Sequence, residues 1–298
     1  MAEPPRLRPQ EIVEILDSSF RLYRENFSLF IGVIALVYIP AQILQMVITG
    51  PISLELGTLM AQMQAQSRSN PNSPDMSIMK QVIGHSTMLL LVTALVSGVA
   101  FPIAACALTK AVSRRVLNEA TSLRECYGFV FRNFGRYVGT ILLNGLAVGL
   151  GLMCCVVPGI LLSIWFVFTA YVVVIEGLGG TSAMGRSREL SRGQGWRIVG
   201  LFVILIVVSL SLTFSINAFS GYAIQRMELQ PLHQFMAQQA LQDVLHLLLT
   251  PFFSIGWILL YYDVRIRNEG FDLEVRMTAP AAVVPAPEGP SPAPPAAA

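Results

Sequence analysis

The chain has 298 residues, of which 54% are hydrophobic and only 13% are charged. Soluble domains carry roughly 25% charged residues, so this composition excludes an ordinary soluble fold and indicates a membrane protein. The formal net charge of +2 is too small to indicate a nucleic-acid surface. The positions of the cations therefore matter more than their sum.

Residues 1–9 are predicted to form an N-terminal tail, and an amphipathic surface helix follows. Pro9 suits the first turn of a helix, and Glu11 and Glu14 favour its N-terminal end. Four apolar residues at helical spacing should share one face: Ile12, Leu16, Phe20 and Tyr23. The helix should lie at the membrane surface, packed either on lipid or on the protein's own spans.

Five windows without Asp, Glu, Lys or Arg follow in the chain: residues 26–54, 81–109, 137–175, 198–225 and 244–262. Each is long enough to cross the hydrocarbon core, which needs about 20 helical residues. The third is nearly twice too long for one span, and its Pro158-Gly159 pair is typical of a turn. Six transmembrane helices are therefore predicted, at residues 27–48, 86–109, 138–157, 159–175, 198–220 and 244–262.

The loop after the first span contains two methionine pairs, Met60 with Met63 and Met76 with Met79. Thioether sulfur binds soft Cu(I), which makes the four side chains a weak copper candidate. The more ordinary interpretation is that they cover an amphipathic loop helix against the membrane or the spans. We therefore predict no metal site and no cofactor.

A weak internal repeat relates the hairpins formed by successive spans. The stretches RENFSLFIG (24–32), FRNFGRYVG (131–139) and RGQGWRIVG (192–200) align. The aligned sets include Asn26 with Asn133 and Gln194, and Phe30 with Tyr137 and Ile198. Each copy predicts an amphipathic helix, a short break and two spans. The predicted fold class is all-α: a polytopic membrane protein with six transmembrane helices in three hairpins, each preceded by a cytoplasmic amphipathic helix.

The cations indicate the orientation of these spans. Of the 20 lysines and arginines, all but Arg68, Lys80 and Arg226 fall on the side that holds both chain termini. By the positive-inside rule that side is cytoplasmic. The first 26 residues are charged and polar, so the first span is predicted to be an anchor rather than a cleaved signal peptide.

The connection between the fourth and fifth spans carries the candidate site. Residues 182–192 predict a short amphipathic helix, with Met184, Ser187 and Leu190 toward the membrane. The candidate lipid- or partner-binding residues are Glu176, Arg186, Arg188, Arg192, Trp196 and Arg197. The arginines are predicted either to face anionic headgroups or an acidic partner, or only to fix orientation and pair with Glu176 and Glu189.

Three stretches resemble a known family: EILDSSFRLYRENFSLFIG (14–32), VIEGLGGTSAMGRSRELSRGQGWRIVG (174–200) and LLYYDVRIRNEGFDLE (259–274). They are similar to the six-span membrane domain named after glycerophosphoryl diester phosphodiesterase, which also occurs alone in bacterial membrane proteins. The resemblance covers residues 10–275 as one membrane domain. The family's enzymes carry a separate catalytic barrel, for which this chain has no segment. Residues 276–298 are predicted to be a disordered, Ala/Pro-rich cytoplasmic tail.

The sequence offers little catalytic chemistry. The three histidines have no metal spacing, and no phosphate loop or nucleophile motif is visible. We therefore predict that the chain is not an enzyme. The expected function is that of a module of a bacterial inner membrane that organises lipid, including anionic lipid, or a protein partner at the cytoplasmic face. A small-solute or lipid transporter is the alternative, and a lipid-modifying enzyme is a third.

Overall fold

Helices make up nearly all of the part of the chain that the computed structural model describes, which is residues 9–69, 75–226 and 231–270, and that part contains no strand. The helices are α1 (Ile12–Glu25), α2 (Phe27–Ser69), α3 (Met76–Val116), α4 (Leu123–Cys154), α5 (Val156–Trp165), α6 (Thr169–Ile175), α7 (Gly180–Ser191), α8 (Gly195–Gln225) and α9 (Pro231–Glu269). Residues 1–8 of the predicted N-terminal tail (1–9) and the whole predicted C-terminal tail (276–298) lie outside the described residues.

Six helical segments are long and apolar enough to cross a membrane: α2, α3, α4, α5 with α6, α8, and α9. Neighbouring segments pack as the predicted hairpins, α2 on α3, α4 on α5, and α8 on α9. Their outward faces carry many exposed leucines, isoleucines, valines and phenylalanines. An all-round apolar surface of this kind is typical of helices that face lipid. The predicted all-α fold with six spans is confirmed.

The first hairpin extends well beyond a membrane. α2 has 43 residues and α3 has 41, so each is about 60 Å long, roughly twice the hydrocarbon thickness. Much of the segment predicted as a loop after residue 48 is therefore a continuation of α2. The reason is composition, because residues 54–69 are rich in Leu, Met, Ala and Gln, which favour helix in water as well as in lipid.

The predicted turn at Pro158-Gly159 is wrong, because the chain reverses at Cys155. Cys155 is extended (φ −166°, ψ 145°), and α5 begins at the next residue. Pro158 lies in the first turn of α5, where its missing N–H leaves no hydrogen bond unmade. Gly159 is needed for packing, since a Cβ there would lie 2.4 Å from Leu152 Cδ2 on α4.

A separate helix precedes the first and third hairpins, α1 and α7, and the predicted break occurs in only these two of the three copies. Asn26 separates α1 from α2, and Gly193, with φ +74°, lies between α7 and α8. In the second copy α4 runs unbroken through Asn133, whose side-chain amide donates to Phe129 O at 3.0 Å within the helix. No left-handed residue interrupts α4, so surface helix and span are one element.

α1 packs on the protein's own spans, chiefly on α9. Its fully buried residues are Ile15 and Ser19, and Ser19 Oγ lies near the position that a Cβ on Gly256 of α9 would take. Ile12, Leu16 and Tyr23 of the predicted face pack against the protein core, whereas Phe20 is 57% exposed and does not pack on the spans. The small Ser19 and the glycine opposite it set the rotation of the helix, and this turns Phe20 outward.

Candidate functional site at the basic end

The ends of several helices meet where the sequence places most of its cations, and we call this region the basic end. It comprises α1, the last turns of α3, the first turns of α4, the segment from Glu176 to Arg197, and the last turns of α9. The C-terminal turns of α9 lie among the others, and they carry Tyr261, Asp263, Arg265, Arg267 and Glu269.

Glu176 and Arg186 lie at the centre of a first charge cluster. Arg186 Nε donates to Glu176 Oε2 at 2.9 Å, and Arg186 Nη2 lies 2.5 Å from Glu269 Oε1. Tyr261 OH donates to Glu176 Oε1 at 2.6 Å, and Arg265 Nε lies 3.2 Å from Glu269 Oε2. The cluster ties the α6–α7 turn to the end of α9.

This environment perturbs the titration of Arg186. Burial lowers the pKa of its guanidinium, but the hydrogen bonds and charges of Glu176 and Glu269 act in the opposite direction and raise the pKa overall. Arg186 therefore stays charged at any physiological pH. Its donors are taken up by internal carboxylates, including Glu189 Oε2 at 3.4 Å.

Asp263 organises a second charge cluster around the start of α1. The residue is only 2% exposed, and its carboxylate accepts from Arg197 Nη2 at 2.7 Å and from Arg267 Nε at 3.1 Å. It also accepts from the backbone N–H of Gln10 at 2.7 Å, while both arginines donate to Gln10 O. One buried carboxylate thus holds α8, α9 and the chain entering α1.

Side chains of α7 make hydrogen bonds to the backbone where the helix of the fourth span is interrupted. The helix stops at Trp165 and resumes at Thr169, which leaves backbone groups without helical partners. Ser187 Oγ donates to Trp165 O at 2.9 Å and accepts from Phe168 N–H at 3.1 Å, and Ser191 Oγ also donates to Trp165 O. The predicted face of α7 (Met184, Ser187, Leu190) is indeed the buried one, but it packs on the protein's spans rather than on lipid.

The remaining candidate residues face outward. The Arg188 guanidinium lies over the Trp165 ring, 4.4 Å from its centroid, and Arg192 is exposed. Trp196, at the start of α8, is 87% exposed. The six predicted residues therefore divide into two groups: Glu176, Arg186 and Arg197 form internal ion pairs, whereas Arg188, Arg192 and Trp196 are presented on the surface.

An open groove of about 550 Å³ lies between α4 and the α6–α7 turn. Arg136 Nη1 donates to Gly177 O at 2.8 Å, and Gly180 N–H donates to Thr140 Oγ1 at 2.7 Å, so these contacts fix the turn. Gly177 and Gly180 have φ of +72° and +60°, which only glycine adopts without strain. Backbone conformation therefore explains Gly177 and Gly180 of the GLGG sequence, whereas a Cβ on Gly179 would lie 2.7 Å from Arg136 Cγ.

Sequence reasoning missed the acceptors on α9. Asp263 and Glu269 lie just after the last apolar window, and we treated that segment only as a carrier of cations. The signal was present, because DVRIRNE places an acid on each side of two arginines directly after a span. Acids at that position are expected to pair with the basic segments that reach the same membrane surface.

Metal and cysteine chemistry finds no support in the described residues. They contain no group of three or more His, Cys, Asp or Glu side chains able to hold a metal ion. Met60, Met63 and Met76 have exposed side chains on the extended α2–α3 hairpin, and the absence of a copper site there stays a prediction. Cys106 and Cys126 are buried, whereas Cys154 and Cys155 are exposed at the α4–α5 turn.

The six apolar helices and the charged end that joins them define a multi-pass α-helical membrane protein. Residues 126–262 match a family described as a domain of unknown function, DUF7847. The match runs from α4 into α9, includes Glu176, Arg186 and Arg197, and ends one residue before Asp263. No curated protein and no solved structure matches the chain. The resemblance to the phosphodiesterase-associated membrane domain stays a prediction.

Proposed function

We propose that the chain is a non-catalytic integral membrane module that organises anionic lipid or a protein partner at the cytoplasmic face of a bacterial inner membrane, with both termini in the cytoplasm. The observation that carries this proposal is the division among the candidate residues. The fold neutralises Arg186 and Arg197 internally but leaves Arg188 and Arg192 exposed in the same short segment of chain as the 87% exposed Trp196. Exposed cations and an exposed indole in one segment suit the lipid headgroup region.

Charge reversal at these two arginines tests the lipid-binding role. We expect the double variant Arg188→Glu/Arg192→Glu to retain at least fivefold less copurified anionic phospholipid, since each cation near a charged leaflet contributes about 1 kcal/mol. The measurement is mass spectrometry of lipid per mole of purified protein, after gel filtration shows that the variant is folded.

The chain offers a matched control for that variant. Arg68→Glu/Lys80→Glu makes the same change in charge at two exposed positions on the α2–α3 hairpin, far from the basic end. It should leave lipid retention at the wild-type level. Equal lipid and partner recovery from the basic-end variant and the wild type would show that the arginines only fix orientation.

The orientation can be tested by labelling single cysteines in a background without the four native ones. Ser67 on α2 and Ser182 on α7 are both exposed, so each cysteine is accessible once its side of the membrane is reached. We expect a membrane-impermeant maleimide added to intact cells to label Ser67→Cys, and to label Ser182→Cys only after permeabilisation. The opposite pattern would place the basic end outside.

One observation favours the transporter alternative. The fourth span is broken between Trp165 and Thr169, whereas Pro40, Pro102 and Pro251 lie inside three other spans that remain continuous helices. Discontinuous helices within repeated hairpins are a common way to build a solute site. Against this, Ser187 and Ser191 satisfy the broken backbone from within the protein. Uptake of labelled solutes or lipids by proteoliposomes separates this alternative from the module that we propose.

A further inference from the structure

Polar side chains form a seam between α2 and α9, far from the basic end. On α2 they recur at intervals of three or four residues, which places them on one face. They are Tyr38, Gln42, Gln45 and Thr49 on α2, and Gln239, Asp243 and His246 on α9. All seven lie in helical segments that are apolar enough to cross a membrane. Tyr38, Gln42 and Gln45 fall within the first predicted span and Asp243 lies at the edge of the last one, and polar residues in such positions are costly enough to call for an explanation.

Asp243 is the charged centre of the seam. Its Oδ1 atom accepts from Gln42 Nε2 at 2.6 Å across the helix contact, and from Gln239 Nε2 at 3.3 Å. The Gln42 amide also lies 2.9 Å from Tyr38 OH. In the part of the chain that the structure describes, no lysine or arginine forms an ion pair with Asp243. Its titratable neighbours are Tyr38 on α2 and His246 on α9, and the His246 side chain is exposed.

A second observation is an oxygen without a partner. Gln45 Oε1 is buried and accepts no hydrogen bond from any described residue. Gln45 lies one helical turn beyond Gln42 on the same face of α2. A buried acceptor without a donor costs about 1–3 kcal/mol unless a water molecule or a bound cation approaches it, and this oxygen lies on the same face of α2 as the Gln42 amide that donates to Asp243. The seam is rich in oxygen atoms and lacks a positive charge.

The position of Asp243 makes the seam reachable from the side opposite the basic end. Asp243 and Asp263 are 20 residues apart on α9, which corresponds to about 30 Å along the helix. That distance equals the usual thickness of the hydrocarbon core. With Asp263 at one boundary, Asp243 therefore lies close to the other, where a small ion can enter from water.

We propose that the α2–α9 seam binds one small monovalent cation, either H⁺ or Na⁺, with Asp243 as its charged ligand. Carboxylate, carboxamide and hydroxyl oxygens are the ligands that hard cations prefer, and one carboxylate balances one positive charge. Rotation of the Gln42 and Gln239 amides by 180° turns their oxygens toward the bound ion. Bound there, the cation links α2 to α9. This site is independent of lipid binding at the basic end.

The experiment measures the thermal midpoint of the purified full-length protein in detergent. At pH 8, sodium chloride replaces choline chloride at constant ionic strength. If Na⁺ is the ligand, the midpoint of the wild type rises and saturates with Na⁺, as linkage requires. If H⁺ is the ligand, the midpoint does not respond to Na⁺ but rises in choline as the pH falls from 8 to 5.

Single substitutions test whether the response of the thermal midpoint comes from the seam. We expect Asp243→Asn to abolish whichever response the wild type gives, and Asp17→Asn, an exposed carboxylate on α1, to leave it unchanged. His246→Gln should also keep the response, which excludes titration of the imidazole as its source. Gln45→Leu removes one proposed ligand oxygen without touching a charge, and it should weaken the Na⁺ response at least fivefold.

The proposal is overturned if the wild type responds to neither ion, or if Asp243→Asn responds as the wild type does, since the seam would then only join two helices. If Asp243→Asn does not fold, Gln45→Leu tests the Na⁺ case, and an unchanged Na⁺ response overturns it. In the H⁺ case Gln42→Leu, which removes the amide that donates to Asp243 Oδ1, must move the rise in midpoint to higher pH, and an unchanged pH response overturns the proposal.

Discussion

Replacing Asp263 by Asn should destabilise the protein more than any other single change of charge at the basic end. The carboxylate is 2% exposed and accepts hydrogen bonds from Arg197, Arg267 and the Gln10 backbone. The variant leaves two guanidinium groups without their counter-charge. Removing one partner of a buried ion pair costs about 3–5 kcal/mol. The two arginines are 23% and 31% exposed, and screening by water reduces the expected loss to about 2–4 kcal/mol.

The readout for Asp263→Asn is the thermal midpoint in detergent, which should fall by roughly 5 °C or more. Asp17→Asn on α1 is the matched control, because it removes the same charge from an exposed side chain. Limited proteolysis adds a local readout: α1 should be cut faster in Asp263→Asn than in the wild type, since Asp263 and its arginines hold the Gln10 backbone. A variant as stable as the wild type would mean that water and the remaining contacts replace the carboxylate.

The sequence alone predicted the six membrane spans, because the local pattern of apolar residues determines where a span lies. Long apolar windows located all six spans, because each helix must satisfy its own backbone in lipid. One aligned set of the repeat also shares its burial: Phe30, Tyr137 and Ile198 are equivalent in the alignment and are all buried. Repetition of one helix-and-hairpin unit explains both results.

The errors arose where a local signal has more than one structural use. A Pro-Gly pair is typical of a turn, but Pro158 also fits the first turn of a helix and Gly159 also fits a close helix contact. Phe20 continues the apolar spacing of α1, yet the rotation of that helix follows from Ser19 meeting Gly256 on α9. Neither choice can be made without the neighbouring helix.

The candidate site was only partly predictable, because its contacts join distant parts of the chain. Glu176 and Arg186 are ten residues apart, and the possibility of a pair between them was visible in the sequence. Gln10 and Asp263 are 253 residues apart, and no periodicity relates them. An arginine stays exposed when no buried carboxylate lies within its reach, and the positions of those carboxylates are known only from the structure. The sequence therefore could not show that Arg197 forms an internal ion pair and Arg192 does not.

Gly159→Ala is the core substitution with the largest expected effect. A Cβ at this position would lie 2.4 Å from Leu152 Cδ2, 2.5 Å from Leu152 Cγ and 2.7 Å from the Leu152 backbone N. A change of rotamer relieves the first two contacts, but the backbone contact requires α4 and α5 to move apart. Overpacking of this kind costs typically 1–3 kcal/mol. We expect a loss of stability near the upper end of that range. The higher helix propensity of alanine than of glycine offsets at most about 1 kcal/mol of it.

Gly149→Ala on α4 is the matched control for that prediction. It makes the same chemical change within a helix, but nothing lies within 4 Å of the new Cβ, so its stability should equal or slightly exceed that of the wild type. The two variants are compared by thermal unfolding and by the rate at which a maleimide modifies Cys155 at the α4–α5 turn. Separation of the helices should speed modification in Gly159→Ala alone. If both variants behave like the wild type, α4 and α5 do not approach each other closely, and the turn at Cys155 would need to be placed elsewhere.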